Sequence, residues 1–154
     1  FDARITSRDG DHSGREPRFD PSFDAALGPL AAAMNAYVRE ELGFESDLPY
    51  RVLTGVGPWP QVQNRYASTA SDLAEAMSRN HHLRVLVQTG RCDLAIPYRS
   101  MPYSIDHLGI DPELLQNVTY ATYDSGHMMY LHLPDLAKLG KDLRKFVAMP
   151  VATE

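Results

Sequence analysis

Val118-Thr119-Tyr120-Ala121-Thr122-Tyr123-Asp124-Ser125-Gly126-His127-Met128-Met129-Tyr130 is the stretch whose reading decides the fold of this chain. Its first six residues are rich in β-branched and aromatic types, which suit a pleated strand. The run ends in a Gly-His corner. Gly126 lets the backbone turn without a Cβ clash and delivers His127 at the strand's carboxyl end. A second run, Leu83-Arg84-Val85-Leu86-Val87, continues to Thr89. It is short and largely apolar, as a parallel strand buried on both faces should be. Gly90 ends it, and the following loop carries Cys92, Asp93 and Pro97. Ligands of open α/β sheets bind beyond the carboxyl ends of the strands, so Asp93 and His127 are the first candidates for chemistry.

The segments around these two strands complete a βα pattern. A helix is expected from about Met101 to Leu108, with Pro102 in its first turn and Gly109 closing it. Asp111 reads as the N-cap of a short turn, with Pro112 behind it. Pro134 opens the last helix, where Leu136, Leu139, Leu143 and Phe146 recur on one face. Strand, helix, strand and helix in that order predict a right-handed parallel crossover. Upstream, Ser7 to Gly14 reads as an exposed loop. Gly28-Pro29 is expected to open a helix carrying Met34, Tyr37, Val38, Glu41 and Leu42, with Gly43 as its stop. Residues 44 to 66 are punctuated by Pro49, Gly55, Gly57, Pro58 and Pro60. Val52-Leu53 is a short extended piece, and Trp59 is placed beneath a loop. A helix from about Ser71 to Arg79 follows. The expected division is 1–80 and 81–154.

Composition narrows the classes of function. The hydrophobic share of 44% and charged share of 23% are those of an ordinary soluble globular protein. A net charge of −5, with no basic stripe, argues against nucleic acid as a partner. No apolar stretch reaches the roughly 20 residues that a membrane-spanning helix needs. The single Cys92 cannot form an internal disulfide. There is no His-Glu-x-x-His and no cysteine pair, and His81-His82 diverge on any regular element, so neither a zinc site nor a cofactor is expected.

Asp93 and His127 acquire meaning as a pair. An Asp at a strand end can accept the imidazole N–H, set its tautomer and stabilise the imidazolium. A histidine is suited to general-base work near neutral pH. The step of 34 residues between them leaves room for one helix and one strand. In the α/β-hydrolase fold the triad runs Ser, then Asp or Glu, then His along the chain. The last two members are in order here. The nucleophile is not: no Gly-x-Ser-x-Gly occurs, and neither Ser13 nor Ser125, each followed by Gly, has Gly two residues before it. Cys92 adjoins the acid instead of occupying its own strand-helix elbow, and reads as a small packing residue. The expectation is therefore an α/β chain that forms the C-terminal part of an α/β-hydrolase, with its nucleophile supplied from upstream of Phe1.

Gly126-His127-Met128-Met129-Tyr130-Leu131-His132-Leu133-Pro134 resembles the segment around the catalytic His of serine carboxypeptidases, peptidase family S10, and most closely its bacterial branch. Asp93, followed by Ile96-Pro97 and a helix ending at Leu108-Gly109, resembles the family's acid-bearing segment. The likeness extends back through Glu45-Ser46-Asp47-Leu48-Pro49-Tyr50 and Gly57-Pro58-Trp59. It departs at Arg91-Cys92, where bulky aromatic or polar residues are usual. The resemblance implies Asp93 and His127 as second and third triad members, and Met128 beside the pocket for the leaving residue. It also implies that the part before residue 80 is a cap inserted into the hydrolase core. The substrate implied is the C-terminus of a peptide, and the setting secreted, vesicular or periplasmic. Alternatives of other kinds are an esterase or acyltransferase on the same fold, and a non-catalytic remnant or binding module. Without an N-terminal half of the same fold, the chain is expected to be inactive and to expose a strand edge and apolar helix faces.

Overall fold

The computed structural model describes residues 1–8, 19–52 and 68–150. The expected loop at 9–14, Leu53, the punctuated run 55–60 and Trp59 lie outside the described residues. The chain divides into two units, Ile5–Gln63, and Phe1–Arg4 together with Asn64–Glu154. The first is therefore inserted, along the chain, into the second.

In the inserted unit, α1 spans Pro21–Ala36. It starts eight residues before the expected Gly28-Pro29. Asp20 accepts the N–H groups of Ser22 and Phe23 at 2.8 and 3.3 Å, and Pro21 follows in the first turn, which together make the stronger start signal. Pro29 lies inside the helix. It removes one bond to the Ala25 carbonyl, but both residues are exposed and water can serve that oxygen. A π-type turn, Tyr37–Glu41, extends the helix, with Leu42 N–H donating to Tyr37 O at 3.2 Å. Gly43 then takes φ +63°, the left-handed stop read from the sequence.

The second unit is a mixed helix and strand structure built on a two-stranded parallel sheet. Helix α2 spans Ala70–Arg79, β1 Val85–Gly90, α3 Ser100–Asp106, β2 Val118–Tyr123 and α4 Leu133–Ala148. Strand β1 starts two residues after the expected Leu83 and runs on to include Gly90. The strands pair in register from Val85 opposite Val118 to Gly90 opposite Tyr123, so their carboxyl ends coincide. Helix α3 lies in the connection and ends before Gly109, which has φ +69°. Asp111 caps a 3-10 turn at Pro112–Asn117 by accepting Glu113 N–H at 2.9 Å. Helix α2 belongs to this unit although it precedes residue 81. Its Met77 is fully buried, and its Leu73 lines a cavity with residues of β1.

The core gathers Met77, Val87, Ile105, Leu114, Ala121 and Tyr123. Tyr123 is wholly buried and its hydroxyl is used twice: it accepts from Gln88 Nε2 at 2.8 Å and donates to Asp142 Oδ2 at 3.2 Å. Lys138 closes the network, 2.9 Å from Asp142 and 4.3 Å from the centroid of the Tyr123 ring. Arg84 donates to the carbonyls of Phe146 and Met149 at 3.2 and 2.8 Å, which ties the start of β1 to the end of α4. The α4 face expected to be apolar is only partly covered, with Leu136 and Leu143 remaining 43% and 45% exposed. Among the described residues, β1 and β2 pair only with each other, and no helix is long and apolar enough to cross a membrane.

Candidate functional site

Because the two strands end in register, the loops that follow them emerge side by side. Two backbone bonds lock them and a third tightens the loop after β1. Arg91 N–H donates to Tyr123 O at 2.9 Å, Cys92 N–H donates to Ser125 O at 2.9 Å, and Asp93 N–H turns back to Gly90 O at 3.3 Å. Gly90 and Gly126 allow this closeness. A Cβ on Gly90 would fall on the carbonyl oxygens of Ser125 and Gly126, and one on Gly126 would fall on Asp2. The requirement at Gly126 is thus a close approach, since no positive φ is involved.

This juxtaposition places His127 Nδ1 2.9 Å from Asp93 Oδ2. The Asp93 side chain is 7% exposed and that of His127 is 39% exposed. The two oxygens of Asp93 divide their work. Oδ1 accepts the N–H groups of Ala95 and Ile96 at 2.8 and 2.9 Å, folding the loop around the carboxylate, and Oδ2 faces the imidazole. Loop support and imidazole orientation are therefore both served by one side chain. Burial alone would raise the Asp93 pKa, but the Ile96 N–H, the His127 ring and the Ala95 N–H outweigh it and hold the carboxyl below its ordinary value. An ionised Asp93 fixes the proton on Nδ1, so Nε2 is the ring nitrogen left for chemistry.

A cavity of about 350 Å³ lies beside the pair, lined by both Asp93 and His127 and by apolar side chains including Ile96, Met101, Ile105 and Met129. Five consecutive residues of β1, Val85 to Thr89, also line it. Side chains of a strand alternate between faces, so a wall of consecutive residues means that the cavity follows the strand's edge. Met129 reaches this cavity. Met128, the residue singled out from the sequence, is half-buried in the turn before the 3-10 segment Met129–Leu131 and is not part of the lining.

Cys92 is half-buried, and its backbone bridges Ser125 O and Ala3 N–H. Among the described residues, no group of three His, Cys, Asp or Glu side chains is arranged to hold a metal ion.

Sequence reasoning missed a second His–Asp pair. His132 Nδ1 lies 2.9 Å from Oδ2 of Asp135, whose side chain is 8% exposed. Burial opposes ionisation of Asp135. Bonds from His132 and from the Asp124 N–H, together with the nearby Ser125 hydroxyl, reverse the balance and lower its pKa. Ser125 Oγ is fully buried and makes no well-formed hydrogen bond with any described residue. The i, i+3 spacing of His132 and Asp135 across the start of α4 was the available signal. Through the Asp124 N–H, Asp135 ties the turn before His127 to the first turn of α4.

A missed feature of greater reach is the segment Phe1–Arg4. Asp2 forms an isolated antiparallel bridge with Asp93. Ala3 N–H donates to Cys92 O at 2.9 Å, and His127 N–H donates to Phe1 O at 3.0 Å. The Phe1 ring centroid is 5.3 Å from that of His127. Nothing in the sequence pattern around Phe1 announces these contacts. Comparison of the chain with protein-family models and with curated proteins finds no match, and the chemistry of the site rests on its own geometry.

Proposed function

We propose that this chain carries the acid and base of a serine-type hydrolase with an α/β-hydrolase fold, acting as a carboxypeptidase on the C-termini of peptides. The observation that carries the reading is the 2.9 Å contact between His127 Nδ1 and a buried, ionised Asp93 at the coincident ends of two parallel strands. A serine from another segment of the fold attacks the scissile carbonyl while His127 Nε2 takes its proton. His127 then gives that proton to the leaving amine, and water repeats the sequence to release the acyl group. Asp93 keeps the imidazole in one tautomer and stabilises its charged form throughout.

Two observations support a fold that continues beyond these two strands. The cavity that follows β1 has the place and apolar lining expected where a further strand would pair. The chain path, with Ile5–Gln63 inserted between Arg4 and Asn64, fits a cap set into a hydrolase core. The carboxypeptidase assignment, in preference to an esterase or acyltransferase, rests on the likeness of Gly126–Pro134 and of the Asp93 segment to family S10.

The test is the coding sequence upstream of Phe1, followed by assay of its full product. A Gly-x-Ser-x-Gly after a strand pattern, with labelling of that serine by a fluorophosphonate and loss of labelling in His127→Ala, is the expected result. Cleavage of N-blocked dipeptides in preference to simple esters then selects the carboxypeptidase. A complete reading frame with no such serine overturns the hydrolase and leaves a binding role.

A further inference from the structure

We propose that Asp2 and Arg4 are positioning residues for His127, an ion-paired clamp that fixes the imidazole by gripping the backbone of the turn that bears it. The meaning of this for turnover rests on the hydrolase reading above, but the clamp itself rests on its own contacts.

The grip is made atom by atom. Asp2 Oδ2 accepts the Gly126 N–H at 3.0 Å. The same carboxylate takes three donors from Arg4, its backbone N–H and Nε at 3.0 Å each and Nη2 at 2.7 Å. The other arm of the guanidinium, Nη1, donates to Asp124 O at 2.5 Å. Together with Phe1 O on the His127 N–H, three backbone atoms within four residues, Asp124 O, Gly126 N and His127 N, are held by Phe1–Arg4. Only a planar guanidinium with a fixed fork can face Asp2 with one edge and a carbonyl with the other. The Asp2 carboxyl is held below its ordinary pKa chiefly by Arg4, so the pair stays charged.

Gly126 shows how tight the grip is, because a Cβ there would overlap the Cα, Cβ and Cγ of Asp2. The carboxylate fills the place where a side chain would have been. The clamp also reaches the acid: Asp2 pairs with Asp93 along the backbone, and Ala3 N–H binds Cys92 O. One short segment thus binds both of the loops whose side chains meet at 2.9 Å. Catalytic geometry tolerates little error, since a misplacement of about 1 Å can cost on the order of 10²-fold in rate.

The readout is the imidazole itself, independent of turnover. In protein labelled with ¹⁵N-histidine, two-bond ¹H–¹⁵N correlations report the tautomer of each ring, with His127 assigned by its loss in His127→Ala. Wild type should show the Nδ1–H tautomer of His127 with slow exchange of that proton. Asp2→Asn and Arg4→Ala should mix the tautomers and speed the exchange at least about ten-fold, as a loosened hydrogen bond implies. Arg4→Lys keeps the charge but not the fork and should give an intermediate result, which serves if the harsher variants fail to fold. Asp142→Ala, which removes partners of Tyr123 and Lys138 on the α4 side, should leave the His127 signals unchanged. An intact wild-type signature that persists in folded Asp2 and Arg4 variants, or that Asp142→Ala disturbs equally, overturns the clamp alone. A wild type without the signature removes the Asp93–His127 pair, and both proposals with it.

Discussion

Gly90 lies against the carbonyl oxygen of Gly126 so closely that no Cβ fits between them. This contact brings the two strand-end loops together and is the steric condition for the Asp93–His127 bond. Gly90→Ala should therefore destabilise the protein by about 1–3 kcal/mol or more, because the obstacles are backbone atoms that cannot rotate away. Gly140→Ala is the control. Its Cβ meets only the Arg144 guanidinium, at 3.6 Å, and removing a helix-interior glycine should stabilise by about 0.5–1 kcal/mol. Urea melts of both variants check the pair. A Gly90→Ala midpoint equal to wild type would sink the argument.

Asp93→Asn should preserve the loop and damage the chemistry. The amide oxygen can keep the bonds from Ala95 and Ile96 now made to Oδ1, which turns the NH₂ toward His127. A donor facing Nδ1 drives the ring proton to Nε2, the wrong tautomer for a base. In the complete hydrolase turnover should fall by about 10⁴-fold while the fold is retained. Turnover within a few fold of wild type removes Asp93 from the triad.

Acid should loosen the site in a definite window. Asp93 and Asp135 both have pKa values below their ordinary ones in the folded protein. Above the unfolded value of about 3.9 both states are ionised and the stabilisation is fully present. As pH falls below that value the unfolded chain takes up protons first, and stability is lost until the native values are passed. The melting temperature should drop from about pH 4 downward, and less steeply in Asp135→Asn. Parallel curves for the two proteins would contradict this.

Tyr123→Phe should cost about 1–3 kcal/mol with no change in packing volume worth measuring. The lost hydroxyl leaves the half-buried Gln88 Nε2 without its acceptor and the half-buried, ionised Asp142 without one donor. Guanidinium unfolding of Tyr123→Phe beside Tyr120→Phe makes the comparison, since Tyr120 is 45% exposed and its hydroxyl can turn to water. Equal losses would mean that the Tyr123 network contributes nothing.

Local chemistry made much of the fold legible. The β-branched run Val118–Tyr123, the stop at Gly43 and the Asp111-Pro112 cap are each decided by a few adjacent residues, and each stands where the sequence puts it, whereas α3 ends at Asp106, before the expected stop at Gly109. The start of α1 differs from the expected one because Gly28-Pro29 imitates a helix opening, while Asp20-Pro21 makes the real one through side-chain bonds. The His132–Asp135 pair has only its i, i+3 spacing as a local signal.

The sequence by itself determined which residue types end the two strands, and so named Asp93 and His127. Their order and spacing are properties of the chain. What only the tertiary structure decided is that their side chains meet, that Met129 reaches the cavity while Met128 does not, and that Phe1–Arg4 clamps the turn before His127. The physical reason is range. Caps, turns and strand preferences act over a few residues, whereas the bond from Asp2 to Gly126 joins positions 124 residues apart. No local pattern encodes such a bond. It forms because folding of the second unit, around a sheet whose strands end in register, brings two distant stretches of backbone to the same place.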